Sequence, residues 1–245
     1  MQDSKYVFEK LWGITCELKQ KLETRFDLQL QASTKDVNEY QSKDGNAQGS
    51  LKTFSGKEID WLVHSYLHNL NQANFSAMRL TIWLSSHIQV PHLAFEFGTL
   101  PHVFFYMDYI PRTDLYTELD YLKRYYEPVN QTFLKLQADA DLKLFTSKSF
   151  YIRSFQSPVS LCYTCDGSED RLNLIRTIAL EMTDRWLKWV DEAAAVPENM
   201  RTKLAERDLL IRRNSAEGDP DNQLAVNMFG TELTDKLVKA LWGGL

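Results

Sequence analysis

Residues 91–111, PHLAFEFGTLPHVFFYMDYIP, decide the fold. They read as two strands, Leu93–Phe97 and Val103–Tyr109, joined by a short turn through Gly98 and Pro101. Aromatic and aliphatic residues occupy nearly every position, so both faces of this hairpin are expected to be covered. One carboxylate, Glu96, sits inside the first strand between Phe95 and Phe97. An unpaired acid in such surroundings is costly to bury ionised and would keep its proton, which makes it a ready proton donor. The alternative reading is a salt-bridged or partly exposed glutamate on an edge strand.

Before the hairpin, Ile59, Trp61, Val63 and Leu67 alternate with Asp60, His64, Tyr66 and His68, as in a half-buried strand, and Met78–Leu84 reads as another. Successive strands with short connections predict an antiparallel meander. Further upstream, Val7, Leu11, Ile14, Leu18 and Leu22 fall on one face of a helix over residues 5–26, and residues 32–50 read as a polar loop or weak hairpin turn. After the hairpin, helices are expected over Asp114–Tyr126 and Pro128–Leu136, then strands at Ser149–Phe155 and Val159–Thr164. Ser168 begins a long helix to about residue 194, and Pro197 another to about residue 213. NSAEGDPDNQ, residues 214–223, reads as a polar loop, and Phe229–Trp242 as a closing helix. The expected architecture is a single α/β domain spanning 1–245: a three-layer α/β/α sandwich with a central antiparallel sheet flanked by helices.

Composition narrows the function. A net charge of −5 over 245 residues gives no footprint for nucleic acid, and no apolar run approaches the length that spans a bilayer, so no stable membrane insertion is expected. The opening MQDSKYVFEKLW resembles neither a signal peptide nor a transit peptide, which predicts a cytoplasmic bacterial protein or a trimmed protein of the plastid stroma. Cys162 and Cys165 form a lone C-x-x-C with no second pair to complete a metal site; on a strand their sulfurs point to opposite faces, and a redox pair is the other reading. His64 and His68 are about 13 Å apart on a strand, too far to share a metal, although His68 alone could face a ligand. The basic residues from Arg171 to Arg213 are interspersed with acids, as on a solvated helix surface; docking of an acidic partner is the other reading. There is no G-x-G-x-x-G, P-loop, G-x-S-x-G or H-E-x-x-H.

Seven strings carry a resemblance: IDWLVHSYLH (59–68), PHLAFEFG (91–98), MDYIPRTDL (107–115), LDYLKRYYE (119–127), FLKLQ (133–137), FYIRSFQSP (150–158) and RRNSAEGDPDNQLAVNMFGTEL (212–233). In this order the sequence resembles red chlorophyll catabolite reductase, and its ending also resembles the related ferredoxin-dependent bilin reductases. The resemblance implies an α/β/α sandwich that reduces an open-chain tetrapyrrole with electrons from reduced ferredoxin, with no bound metal, flavin or nicotinamide. It places the two acids that flank the substrate at Glu96 and at Asp219, with Asp221 competing for the second place. It makes Arg153 the first choice for a substrate propionate, and Phe95, Trp83 and Phe229 the walls of the pigment site. Gln156 stands where family members generally carry an apolar residue, at a position linked to the stereochemistry of the product. Family members can be homodimers. The leading reading is reduction of red chlorophyll catabolite to primary fluorescent chlorophyll catabolite, in a cyanobacterial type of the enzyme. A linear bilin such as biliverdin as substrate, and a tetrapyrrole-binding protein without turnover, are the alternatives.

Overall fold

The computed structural model describes residues 4–69, 75–99 and 102–243. A long helix α1 (Ser4–Arg25) is followed by short strands β1 (Gln29–Leu30) and β2 (Tyr40–Gln41), with a 3-10 turn at Ala32–Val37 between them. The main strands are β3 (Ala47–Ser55), β4 (Ile59–Asn69), β5 (Ser76–Leu84), β6 (His92–Thr99) and β7 (Val103–Ile110). Then come α2 (Leu119–Tyr125), α3 (Asn130–Gln137), β8 (Lys143–Leu144), α4 (Phe150–Phe155), β9 (Leu161–Cys165) and α5 (Glu169–Asp191). Three helices close the chain: α6 (Glu198–Gly218), α7 (Asp221–Phe229) and α8 (Thr231–Trp242). The sheet runs in the order β1-β3-β4-β5-β6-β7-β9-β8, with β2 on β3, and every pair is antiparallel.

Alternation along the strands makes the layers. Met78, Leu80 and Ile82 of β5 and Leu93, Phe95 and Phe97 of β6 point to one face, where α1 and α5 cover them with Leu11, Leu18, Ile178 and Trp186. Val7, Leu11, Ile14, Leu18 and Leu22, at the predicted spacing, are all buried. Each is worth roughly 1.5–3 kcal/mol of apolar burial. Residues one step out of phase face the other way. There Val63 and Leu51 meet Leu237 and Phe229, and Trp83, Tyr106 and Cys162 meet Ala216 and Trp242, so α6, α7 and α8 form the third layer. The expected α/β/α sandwich is what the chain forms.

A buried ionic staple joins the third layer to the sheet. Arg112, just beyond β7, donates from Nε and Nη2 to Asp208 Oδ2 on α6 (3.0 and 2.5 Å), and from Nη1 to the carbonyls of Ser85 and Ile88. His92 Nδ1 accepts from the Leu84 amide at 2.9 Å, which leaves the ring proton on Nε2, 3.2 Å from Asp208 Oδ1. Burial lowers His92 to about 4, so the ring is neutral at pH 7. Burial works against Asp208, but His92 and Arg112 outweigh it and hold the carboxyl down to about 2.

Several stretches differ from expectation. Ser149–Phe155 is not a strand: Ser149 Oγ accepts from the Ile152 amide, and this side-chain cap winds Phe150–Phe155 into α4. Residues 214–223 are not a loop. Burial of Ser215 and Ala216 carries α6 to Gly218, and the chain breaks only at Asp219–Pro220 before α7 begins. The closing helix forms as α8, starting at Thr231 rather than Phe229, and an unexpected helix α7 precedes it; Gly230 (φ 78°), in a conformation that L side chains rarely adopt, separates the two. The helix expected from Asp114 starts at Leu119, since the Asp114 carboxylate is spent on the Tyr116 amide in a local turn. The polar stretch 32–50 contains the 3-10 turn, β2 and the start of β3. Gly98 lies inside β6 rather than in the turn, and Pro101 lies outside the described residues.

Candidate active site

On the α6–α8 side of the sheet lies a cavity of about 340 Å³. Strand register builds its floor. Arg79 of β5, Glu96 of β6, Tyr106 of β7 and Cys162 of β9 are direct cross-strand partners in one line. Aromatic and apolar walls rise around them: Trp83, Ala94, Phe104, Phe145, Ile152, Phe155 and Trp242. The break between α6 and α7 brings Asp219, Pro220 and Asp221 over the same space.

Glu96 lines this cavity, but not as an acid wrapped in phenylalanine. Its neighbours Phe95 and Phe97 alternate to the opposite face and bury their rings in the main core. Its own carboxylate is 30% exposed and accepts from Arg79 Nη2 at 3.1 Å. The salt-bridged, partly exposed alternative therefore describes it, on a central strand instead of an edge. Arg79 is the one cation among the described lining residues, and it senses Asp219 and Asp221 as well as Glu96. Its guanidinium stands 5.5 Å from the Trp242 ring centroid.

The proton-holding environment expected at Glu96 occurs instead at Asp221. Burial raises its pKa, the charges of Asp219 and Glu96 raise it further, and Arg79 only partly opposes them. Asp219 Oδ1 accepts from the Asp221 amide at 3.0 Å, so the first acid of this pair positions the second. The Asn222 side chain ties the turn to the Ala216 carbonyl at 2.6 Å.

The remaining expected site residues divide. Trp83 and Gln156 line the cavity. The Trp83 ring lies between His92 (4.6 Å), Trp242 (6.3 Å) and the Arg212 guanidinium (5.8 Å), and Arg212 in turn pairs with Asp60 at 2.6 Å. Arg153 is exposed on α4 and donates to the Ser147 carbonyl at 2.6 Å; Ser147 lines the cavity, so Arg153 stands at its edge. Phe95 offers its ring to the other layer, and His68 faces that layer too, 4.8 Å from Phe8. Phe229 packs on Tyr40 at 5.4 Å in a separate cluster. His68 and Phe229 thus stand apart from this cavity, and Phe95 meets it only along the strand, its ring being buried in the main core.

His64 stacks on Trp12 at 4.3 Å, and burial, with Lys19 and Lys52 nearby, lowers it to about 3. Among the described residues, no group of three or more His, Cys, Asp or Glu side chains is arranged to hold a metal ion. Cys162 and Cys165 belong to clusters on opposite faces of the sheet, as their spacing predicts, and both are free thiols.

A family model for red chlorophyll catabolite reductase matches residues 13–242. The chain belongs to the red chlorophyll catabolite reductase family. It is 30% identical over 233 residues to the chloroplastic red chlorophyll catabolite reductase of Arabidopsis thaliana, covering 84% of this chain and 70% of the relative. Red chlorophyll catabolite reductase 1, chloroplastic, of Oryza sativa subsp. japonica is 29% identical over 222 residues, covering 83% and 67%. In solved structures the fold recurs in phytochromobilin synthase from tomato in complex with biliverdin, with a TM-score of 0.82 and 16% identity, over 96% of this chain and 82% of that one. Family membership makes this protein an oxidoreductase of linear tetrapyrroles. No helix among the described residues is long and apolar enough to cross a membrane.

Proposed function

We propose that this protein reduces red chlorophyll catabolite to primary fluorescent chlorophyll catabolite, taking electrons one at a time from reduced ferredoxin and protons from carboxyl groups of the cavity. One observation carries the reading: an aromatic-walled cavity in which three carboxyl groups, Glu96, Asp219 and Asp221, converge on a single guanidinium, that of Arg79. Apolar walls with a few convergent polar groups suit a large conjugated ligand. Proton delivery in the transition state needs an acid already holding a proton, and Asp221 is the group whose surroundings favour that form. Glu96, paired with Arg79, orients the pyrrole nitrogens, and Asp221 regains its proton from solvent after each transfer. Arg153, at the edge beside Ser147, is the cation placed to meet a propionate.

The test is anaerobic incubation with reduced ferredoxin and either red chlorophyll catabolite or biliverdin, followed by visible absorbance and fluorescence. Loss of the red band with blue fluorescence appearing is the expected result. Reduction of biliverdin alone would move the substrate to a bilin. A spectral shift on binding, with neither pigment reduced, would leave a binding protein. Glu96→Gln is expected to bind pigment with the wild-type spectrum and turn over at least about tenfold more slowly. Wild-type turnover in that variant would remove Glu96 from the chemistry.

A further inference from the structure

Behind one wall of the cavity lies an acid that the scheme above does not use. Asp108, on β7, is 1% exposed and does not reach the cavity surface. Its Oδ2 accepts from the Tyr106 hydroxyl at 3.0 Å and from the Ser157 amide at 2.9 Å, and its Oδ1 accepts from the Ser157 hydroxyl at 2.5 Å. One partner belongs to the cavity floor and the other adjoins its wall. Tyr106 lines the cavity directly, next to Glu96 in the sheet. Ser157 follows Gln156, which lines the cavity beside Cys162.

The turn between α4 and β9 is wound around the same serine. Its Oγ accepts from the Val159 amide at 3.3 Å, and its carbonyl from the Ser160 amide at 3.2 Å. A carboxylate is acceptor-only, so the ionised form of Asp108 takes all three donated hydrogens. Burial pushes Asp108 up to about 6, while the bonds from Ser157 and Tyr106 pull it back, which leaves it ionised at neutral pH. A protonated or amide side chain would present a donor to Ser157 Oγ, and the serine hydroxyl would have to turn and accept, giving up the bond it donates.

We propose that Asp108 is a positioning residue: it locks the Tyr106 phenol and the turn carrying Gln156 into one wall, and so fixes which face of the pigment is turned toward Glu96, Asp219 and Asp221. The inference rests on the function proposed above. Placing a proton on a planar conjugated carbon sets the hand of the new centre by the face attacked. A wall that gives way therefore produces slower turnover together with mixed product. Displacement by about 1 Å can cost 10²-fold in rate.

The test compares wild type, Asp108→Asn and Ser157→Ala for kcat, KM, product-isomer ratio and hydrogen exchange at the residue 157 amide, all per folded molecule. In Asp108→Asn, kcat is expected to fall about ten- to a hundredfold with little change in KM. A second isomer appears and the residue 157 amide exchanges faster. Ser157→Ala, which removes one of the three bonds, moves the same readouts part of the way and carries the test if Asp108→Asn does not fold. A lowered melting temperature with unchanged kcat, isomer ratio and amide exchange would make Asp108 merely structural and overturn the proposal. If the wild type reduces no pigment, the proposed function fails by itself. The absorbance of bound pigment and exchange at residue 157 then judge Asp108, and wild-type values in the variants overturn it.

Discussion

Asp208→Asn tests the staple that holds α6, and with it the Asp219–Asp221 turn, against the sheet. The wild-type carboxylate faces Arg112 Nη2 at 2.5 Å and His92 Nε2 at 3.2 Å, with 7% of the side chain exposed, so solvent screening is slight. The gap between an ordinary carboxyl near 3.8 and the folded value of about 2 is worth about 2 kcal/mol of stability at neutral pH. Removing one partner of a buried pair costs about 3–5 kcal/mol, because Arg112 stays buried without its counter-charge. Taking about 3 kcal/mol, thermal unfolding at pH 7 should shift down by roughly 6–12 °C for a chain of this size. The sign with pH follows from the depressed folded value. The contribution is complete above about pH 4 and is lost as pH falls through 2, so the gap between variant and wild type narrows only at the acid end. His92 acts in the same direction over a higher window. It is buried neutral, and its contribution, complete above 6.5, is lost as pH falls through about 4. Circular dichroism melts at pH 7, 5 and 3 measure both effects. A pH 7 melting temperature within about 2 °C of wild type would refute the argument.

Asp221→Asn should lower turnover by about 10²–10⁴-fold with pigment binding retained. Its raised pKa also predicts that the wild-type rate falls as pH rises through that value, and this alkaline limb should disappear in the variant. Arg79→Met leaves three acids with no cation among the described lining residues, so the pH–rate profile should move upward in pH. Its cost in global stability should stay near about 1 kcal/mol, because Glu96 is partly solvated. Mild oxidation should leave Cys162 and Cys165 unlinked, since their side chains enter opposite faces of the sheet; an intramolecular disulfide found by mass spectrometry would contradict the register of β9.

How far the sequence could be read depended on whether a feature was local. The α1 face and the β6–β7 hairpin follow from spacing alone, and both fold where the spacing put them. The two readings of Glu96 cannot be separated from spacing because chain neighbours on a strand point to opposite faces; Phe95 and Phe97 say nothing about what surrounds the carboxylate. What surrounds it is Arg79, 17 residues earlier, and that pairing is set by strand register, which alternation does not specify. Asp108 was invisible for the same reason: its partner Ser157 lies 49 residues away. The polar run 214–223 was legible as a place where acids gather but not as helix, because its helical state depends on Ser215 and Ala216 docking on the sheet. Tertiary burial overrode local polarity there.

The charge balance of the cavity explains why protonation should govern the proposed reaction. Each electron delivered to a bound tetrapyrrole adds a negative charge to it. The described lining offers three carboxyl groups against one guanidinium, and that guanidinium is engaged with Glu96. Two like charges 4 Å apart repel by about 4 kcal/mol at an effective dielectric of 20, so this site is poorly built to stabilise a pigment anion by itself. It is well built to neutralise one. Burial, and then the charges of Asp219 and Glu96, bias Asp221 toward its protonated form, and the same negative field makes the reduced pigment a stronger base. Electron arrival and proton transfer are thereby coupled: the repulsion that holds the proton on Asp221 is relieved when the proton moves to the pigment. A site lined with cations would favour electron addition and leave the radical anion waiting. Here the acids discourage the bare anion, and Arg79 supplies enough positive charge for a pigment to enter at all.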